Sequence, residues 1–352
     1  MISNPRKDEF KRDIKIKTAL LGATGAVGQV FMWMLSDHPW FDITRISASE
    51  SRVGKKYGDD VHWILPMELP KNIEEITISS YDLEAMKAEG IQIVFSALPT
   101  SVAQKIEPAL IEAGFAVFSN AAAMRYEKNV PIMIPEANIE ALSWIEKQGY
   151  PEKGFIVTNA NCSTTGLAVA MAPLKKFRIK DLSVSTYQSV SGAGHPGLSA
   201  LDITNNVIPY IGSEEEKMII EFKKILSVET EIFPFCVRVP IMFGHLETVW
   251  VEFEENVGLD DVIKAWNESA AGIDHLPSTP LLPIQYESQE NLPQTKQAFH
   301  GSPAGMTVYT GRLKKQGNRI GFALLVNNVV KGAAGGSIQN AEAFVSKYLD
   351  KN

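Results

Sequence analysis

At 352 residues, with 45% hydrophobic and 21% charged residues, the chain has the composition of a globular protein and a length that suggests two domains. A net charge of −7 argues against a general nucleic-acid binder and requires a local basic pocket if the substrate is anionic. The charged start and the short apolar runs leave no signal peptide or membrane helix to expect, and two cysteines, Cys162 and Cys236, cannot make a disulfide framework, so a cytoplasmic protein is expected. From Ile16 the sequence runs IKTALL, GATGAVG, VFMWML, which reads as strand, glycine turn and helix. Further strands are expected at 43–48, 76–79, 91–97, 116–119 and 132–134, with helices at 102–113 and 137–147 between them. This alternation predicts a doubly wound, mostly parallel Rossmann-type sheet. After about Phe155, period-two strands at 182–189, 246–253, 306–313 and 320–326 suggest a largely antiparallel second sheet, the last two strands forming a hairpin around Gly317. Residues 272–297 read as a long connection, and GAAGGSIQNAEAFVSKYL as a glycine turn into an amphipathic helix.

Gly22, Gly25 and Gly28 follow a strand and open a helix, where backbone N–H groups and the helix dipole suit a pyrophosphate; a simple packing turn is the alternative. At the end of the second strand, Ser49, Ser51, Arg52, Lys55 and Lys56 favour NADP, while Glu50 keeps NAD open and solvated surface charge would equally explain the lysines. Cys162, in TNANCSTTG, stands between a β-rich stretch and an apolar helix, with Ser163, Thr164 and Thr165 as expected capping residues. A helix N-terminus stabilises a thiolate, which makes Cys162 a candidate nucleophile, with Asn161 and backbone amides available to an oxyanion. Cys236, in the apolar FPFCVRV, reads as packing.

NANCSTTG, SVSGAGHPG, RVPIMFGH and VVKGAAGG, in order with GATGAVG, resemble the aspartate-β-semialdehyde dehydrogenase family over about residues 16–345, and ASESRVGKKY and IPYIGSEEEK resemble its archaeal and fungal branch. The resemblance implies an NADP-binding domain at 1–156 plus 330–352, and a mixed α+β catalytic and dimerisation domain at 157–329. It implies reversible NADP-dependent reductive dephosphorylation of L-aspartyl-4-phosphate to L-aspartate-4-semialdehyde, on the route to lysine, threonine, methionine and isoleucine. Cys162 matches the acyl-forming nucleophile, His245 the acid/base and Gln188 the residue that orients the intermediate. Arg238 matches the carboxylate ligand, Glu214 the amine ligand, and Lys217 and Arg125 the phosphate ligands, with Asn161 beside the substrate. Cofactor contacts are implied at Gly22, Thr24, Gly25, Ala26, Val27, Gly28, Ser49, Ser51, Arg52, Ser191, Gly192, Asn328 and Gly335. No metal is implied, and the assembly is a homodimer or homotetramer.

The sequence departs from the family at Ala160, where proline is commoner, at Ser51-Arg52, where the order is exchanged, and at His195, where tyrosine is common and which reads as a loop variant. Arg238 and His245, seven apart, have opposite strand parity, so the joint assignment requires a bend at Pro240 and Gly244. An imidazole with its ordinary pKa near 6.5 can accept and return a proton at neutral pH. A malonyl-CoA-reductase-type enzyme and a catalytically silent dinucleotide-binding protein are the alternatives; N-acetyl-glutamyl-phosphate reductase and glyceraldehyde-phosphate dehydrogenase share the Cys-His logic but match the ordered motifs less well.

Overall fold

A computed structural model of the protein describes residues 7–194, 197–269 and 272–350; His195 lies outside the described residues. The described residues divide into two compact units, one made of 7–133, 140–159 and 334–350, the other of 134–139 and 160–333.

The first unit is built on a parallel six-stranded sheet in the order β3-β2-β1-β4-β5-β6. Its strands are β1 (Ile16–Leu21), β2 (Phe41–Ser47), β3 (Ile78–Ser79), β4 (Ile93–Ser96), β5 (Ala116–Ser119) and β6 (Phe155–Thr158). β4, β5 and β6 are buried at every position, as expected of parallel strands covered on both faces. Helix α1 (Ala26–Leu35) follows β1, and α2 (Thr100–Glu112) follows β4. On one face Ala19, Leu21, Val94, Val117 and Ile156 form a core with Leu110 of α2. The C-terminal helix Gly335–Phe344 belongs to this unit, and Phe344 packs against Phe118 and Phe155 with ring centroids 6.1 and 4.8 Å away.

That helix differs from the amphipathic one expected, because all its residues are buried. Its polar side chains have buried partners instead of solvent: His38 Nε2 lies 2.8 Å from Glu342, and Asn340 donates to Asn159 at 2.9 Å. The strand expected at 132–134 is a single bridge from Ile132 to Thr158, and the helix expected at 137–147 starts in a short α-helix, Pro135–Asn138, and continues as a 3-10 helix, Ile139–Gln148.

The second unit carries a mixed sheet in the order β10-β11-β12-β9-β7-β8. Its strands are β7 (Ile179–Gln188), β8 (Glu231–Arg238), β9 (His245–Phe253), β10 (Ile284–Glu287), β11 (Val308–Gln316) and β12 (Arg319–Val326). The sheet is less antiparallel than the sequence suggests, because β8 and β10, both unforeseen, run parallel to β7 and β11. β8 escapes pattern reading because Phe233 and Phe235 are apolar yet exposed, which hides the alternation. Helix α3 (Cys162–Met171) lies against β12, and a Cβ on Gly166 would meet Val326 at 2.7 Å, so glycine sets that close approach. α4 (Glu214–Leu226) buries Met218, Phe222 and Ile225 at helical spacing, with glutamates in its first turn and lysines in its last, matching its dipole. Among the described residues no helix is long and apolar enough to cross a membrane.

Candidate active site

Sheet register assembles the site in the second unit. Gln188 ends β7 opposite Arg238, which ends β8, and Val326 of β12 pairs with His245, which opens β9. The bend required between Arg238 and His245 is present: the two residues belong to different strands, and Gly244 turns the chain with φ +91°. Both side chains then converge on Gly192, where an added Cβ would stand 2.8 Å from the Arg238 guanidinium and 3.2 Å from His245 Nε2. Cys162 enters from the N-terminus of α3, its Sγ 3.1 Å from His245 Nε2.

The α3 cap differs from the expectation. Asn161, not the Ser-Thr-Thr run, is the N-cap, with Oδ1 accepting from Ser163 and Thr164 N–H at 3.0 and 3.4 Å. Asn161 Nδ2 donates to Glu214 at 2.6 Å, and Asn161 N–H donates to the buried Glu221 at the same distance. This amide is therefore engaged with α4 instead of standing open to an oxyanion. Lys217 pairs with Glu214 at 2.9 Å, so the two residues implied to meet amine and phosphate lie together one turn apart. Gln188 is buried and donates to Thr186 Oγ1 at 3.2 Å.

The electrostatics also differ from the sequence reading. Burial, reinforced by Glu214 and opposed by Arg238 and by the Ser163 N–H, pushes the Cys162 thiol up to about 12. Burial and then the Arg238 charge push His245 down to about 3. Both shifts favour the neutral thiol–imidazole form over the thiolate–imidazolium pair. Cys236, buried on β8, also has its thiol pushed up to about 12, chiefly by burial, in keeping with a packing role.

Four participants escaped the sequence reading. Ser189 N–H donates to His245 Nδ1 at 3.1 Å, and Gly332 lies where a Cβ would be 2.9 Å from Cys162 Cβ. Glu221 holds the Asn161 amide, and Glu247, on the inward face of β9 with His245, is buried with neither carboxyl oxygen hydrogen-bonded. The parity of HLETVWVEF places Glu247 inward, and that signal was available in the sequence.

The glycine loop and Arg125 lie in the first unit. Gly22 has φ +83° and a Cβ there would be 2.6 Å from Ala97 O; one on Gly28 would be 2.1 Å from Gly22 O. Gly25, at the N-cap of α1, meets nothing nearer than 3.7 Å, so the turn is closed on its packing side and open at the helix N-terminus, which fits a dinucleotide pyrophosphate. Thr24 belongs to the same turn, and Ala26 and Val27 open α1. Arg52 donates to the Asp60 carboxylate at 2.5 Å and Lys55 to the same group at 2.7 Å, whereas Ser49 and Ser51 are exposed with hydroxyls 3.3 Å apart. Arg125 is buried and donates to Asn120 O at 3.2 Å. Gly335 begins the C-terminal helix.

A doubly wound dinucleotide-type unit followed in one chain by a thiol–imidazole unit defines a class, the dehydrogenases that work through a cysteine. Residues 17–145 match the semialdehyde dehydrogenase NAD binding domain, and residues 171–331 match the semialdehyde dehydrogenase dimerisation domain. The chain is 41% identical to the aspartate-semialdehyde dehydrogenase of Archaeoglobus fulgidus, over 96% of this chain and 100% of the relative. It is 35% identical to the malonyl CoA reductase (NADP) of Metallosphaera sedula, over 96% of this chain and 99% of that one. The crystal structure of aspartate semialdehyde dehydrogenase with NADP from Candida albicans matches with a TM-score of 0.84 and 34% identity, over 94% of this chain and 98% of that one. The chain belongs to the aspartate-semialdehyde dehydrogenase family, alongside archaeal and fungal members.

Proposed function

We propose that the protein catalyses the reversible, NADP-dependent reductive dephosphorylation of L-aspartyl-4-phosphate to L-aspartate-4-semialdehyde, in the cytoplasm, as a step toward lysine, threonine, methionine and isoleucine. The observation that carries this reading is the 3.1 Å contact between Cys162 Sγ and His245 Nε2, beside Arg238, in a chain that matches its archaeal relative from end to end. Cys162 displaces phosphate from the acyl phosphate and holds the acyl group as a thioester while His245 takes the thiol proton; once the carbonyl carbon is reduced the C–S bond breaks, the aldehyde leaves, and His245 returns the proton to the Cys162 sulfur. Bound NADPH supplies the hydride. Gln188 orients the intermediate, and Arg238 offers a planar two-donor fork to the substrate carboxylate. Glu214 meets the amine, and Lys217 and Arg125 are assigned to phosphate.

The cofactor is assigned to Gly22, Thr24, Gly25, Ala26, Val27 and Gly28, with Ser49 and Ser51 as the exposed hydroxyls for the 2′-phosphate and Arg52 held behind them by Asp60. Ser191, Gly192, Asn328 and Gly335 complete the set. The domain division proposed from these roles is 1–156 plus 330–352 for cofactor and 157–329 for catalysis and dimerisation, and the proposed assembly is a homodimer or homotetramer. The test is phosphate-dependent NADPH formation from aspartate semialdehyde, with Cys162→Ala as control; turnover no greater than the control's refutes the reading. The Metallosphaera relative motivates a second arm with malonyl-CoA and NADPH, and preference for that thioester would reassign the substrate.

A further inference from the structure

His245 must serve in two opposite senses, and the hydrogen bonds around its second nitrogen bear on how it does so. Ser189 N–H donates to Nδ1 at 3.1 Å, which leaves Nδ1 without a proton and puts the proton of the neutral ring on Nε2, facing Cys162. In that tautomer the ring can donate, but Nε2 has no lone pair with which to take the thiol proton. Taking it requires the other neutral tautomer, with the proton on Nδ1, and that proton then needs an acceptor.

One stands ready. Ser189 Oγ lies 3.2 Å from Nδ1 and 3.1 Å from Asn328 Oδ1. Asn328 is oriented unambiguously, because its Oδ1 accepts Gly244 N–H at 2.9 Å while its Nδ2 donates to Ser191 Oγ at 2.9 Å. Asn328 Oδ1 can only accept, so when the Ser189 hydroxyl donates to it the Ser189 oxygen turns a lone pair toward Nδ1. Ser191 Oγ, 3.2 Å away, supplies the hydroxyl's remaining neighbour. Ser189 thus offers Nδ1 a donor from its backbone and an acceptor from its side chain.

We propose that Ser189, its hydroxyl aimed by Asn328, is the positioning residue that lets His245 change tautomer: with Nδ1–H donated to Ser189 Oγ, Nε2 accepts the Cys162 proton, and with Ser189 N–H on Nδ1, Nε2–H is the donor. The tautomer change passes one proton from Nε2 to solvent water and takes one from water at Nδ1; thereafter the S–H bond breaks as Nε2–H forms, and the imidazolium keeps Nδ1–H on Ser189 Oγ until the proton is returned. This rests on the thiol–imidazole reading of the site and deepens it.

The test uses the full-length protein with Ser189→Ala and Ser189→Thr. Fixing the wrong tautomer of a catalytic histidine costs up to ~10⁴ in rate, and a neutral hydroxyl acceptor should account for a smaller share, ~10–100-fold. Ser189→Ala is expected to lower kcat by that factor with KM within ~3-fold, to slow iodoacetamide alkylation of Cys162 by a similar factor, and to leave the ¹⁵N shifts of the His245 ring in the Nε2–H pattern at every pH. Ser189→Thr, which keeps the hydroxyl, should recover most of the rate. An alanine variant with the parent's kcat, alkylation rate and ring shifts overturns the proposal, as does a parent enzyme whose ring never departs from the Nε2–H pattern. Alkylation and ring shifts need no substrate, so they decide the proposal even if aspartate semialdehyde is not turned over.

Discussion

Glu247 is a carboxyl buried beside the reacting pair with both oxygens unpartnered, and burial holds it well above the ordinary carboxylate range, so it stays protonated in the folded protein. In the unfolded chain it ionises near pH 4.5, so the unfolded state binds fewer protons above that pH and stability falls as pH rises, until the folded pKa is passed. Glu247→Gln removes that slope; denaturant unfolding at pH 5, 7 and 9 should show the variant gaining on the parent as pH rises, and parallel curves would refute it. His245 acts in the opposite sense: lowered from 6.5 to about 3, it leaves stability intact above pH 6.5 and withdraws it as pH falls through that window. Gly332 shows how little room the nucleophile has. A methyl there would stand 2.9 Å from Cys162 Cβ and 3.1 Å from its Cα, so Gly332→Ala must move the thiol. A displacement near 1 Å costs on the order of 100-fold in rate, so kcat should fall by about that factor, while the melting temperature reports the overpacking separately.

At the scale of elements, the turn from β1 into α1 is the simplest test of cofactor binding. Gly28→Ala would place a methyl 2.1 Å from Gly22 O, a backbone atom that cannot swing away as a side chain does. The turn must open, and NADP affinity, followed by fluorescence quenching, should fall by at least about tenfold, with an overpacking cost of about 1–3 kcal/mol in stability. An unchanged affinity would assign the glycines to packing alone. That turn was legible from Gly22, Gly25 and Gly28 because strand, turn and helix signals coincide within a few residues. Cys162, Gln188, Arg238 and His245 were legible as types and as an ordered set. What was not legible is what depends on burial and on register between distant strands. The upward shift of Cys162 and the downward shift of His245 follow from desolvation, which no local sequence window reports. Ser189 and Asn328 meet across 139 positions, and β9, paired with β7 on one side and β12 on the other, brings them together. The C-terminal helix looked amphipathic because its polar residues are satisfied by buried partners such as His38 and Asn159.

At the scale of the molecule, one face of the second unit's sheet is unusually apolar for exposed surface. Phe233 and Phe235 on the edge strand β8 are 56% and 65% exposed, and Tyr210 and Met242 are exposed in the same unit. A groove of about 500 Å³ lined by Tyr187, Trp250, Pro293, Gln294, Arg312 and Lys314 also lies on this sheet. Exposed aromatics on an edge strand favour self-association, and the surrounding segment matches a dimerisation domain. Burying a phenylalanine contributes roughly 2 kcal/mol, and a twofold interface counts each one twice. Phe235→Glu therefore removes about 4 kcal/mol and adds two desolvated charges, enough to weaken a dimer by at least roughly a thousandfold. Sedimentation of the variant at micromolar concentration should show monomer where the parent sediments as a dimer or larger. Because β8 also ends in Arg238, opposite Gln188 of β7, loss of the partner should reach the site through this strand pair, so the monomeric variant is expected to show a raised KM for the substrate. A variant that sediments like the parent would place the subunit interface elsewhere.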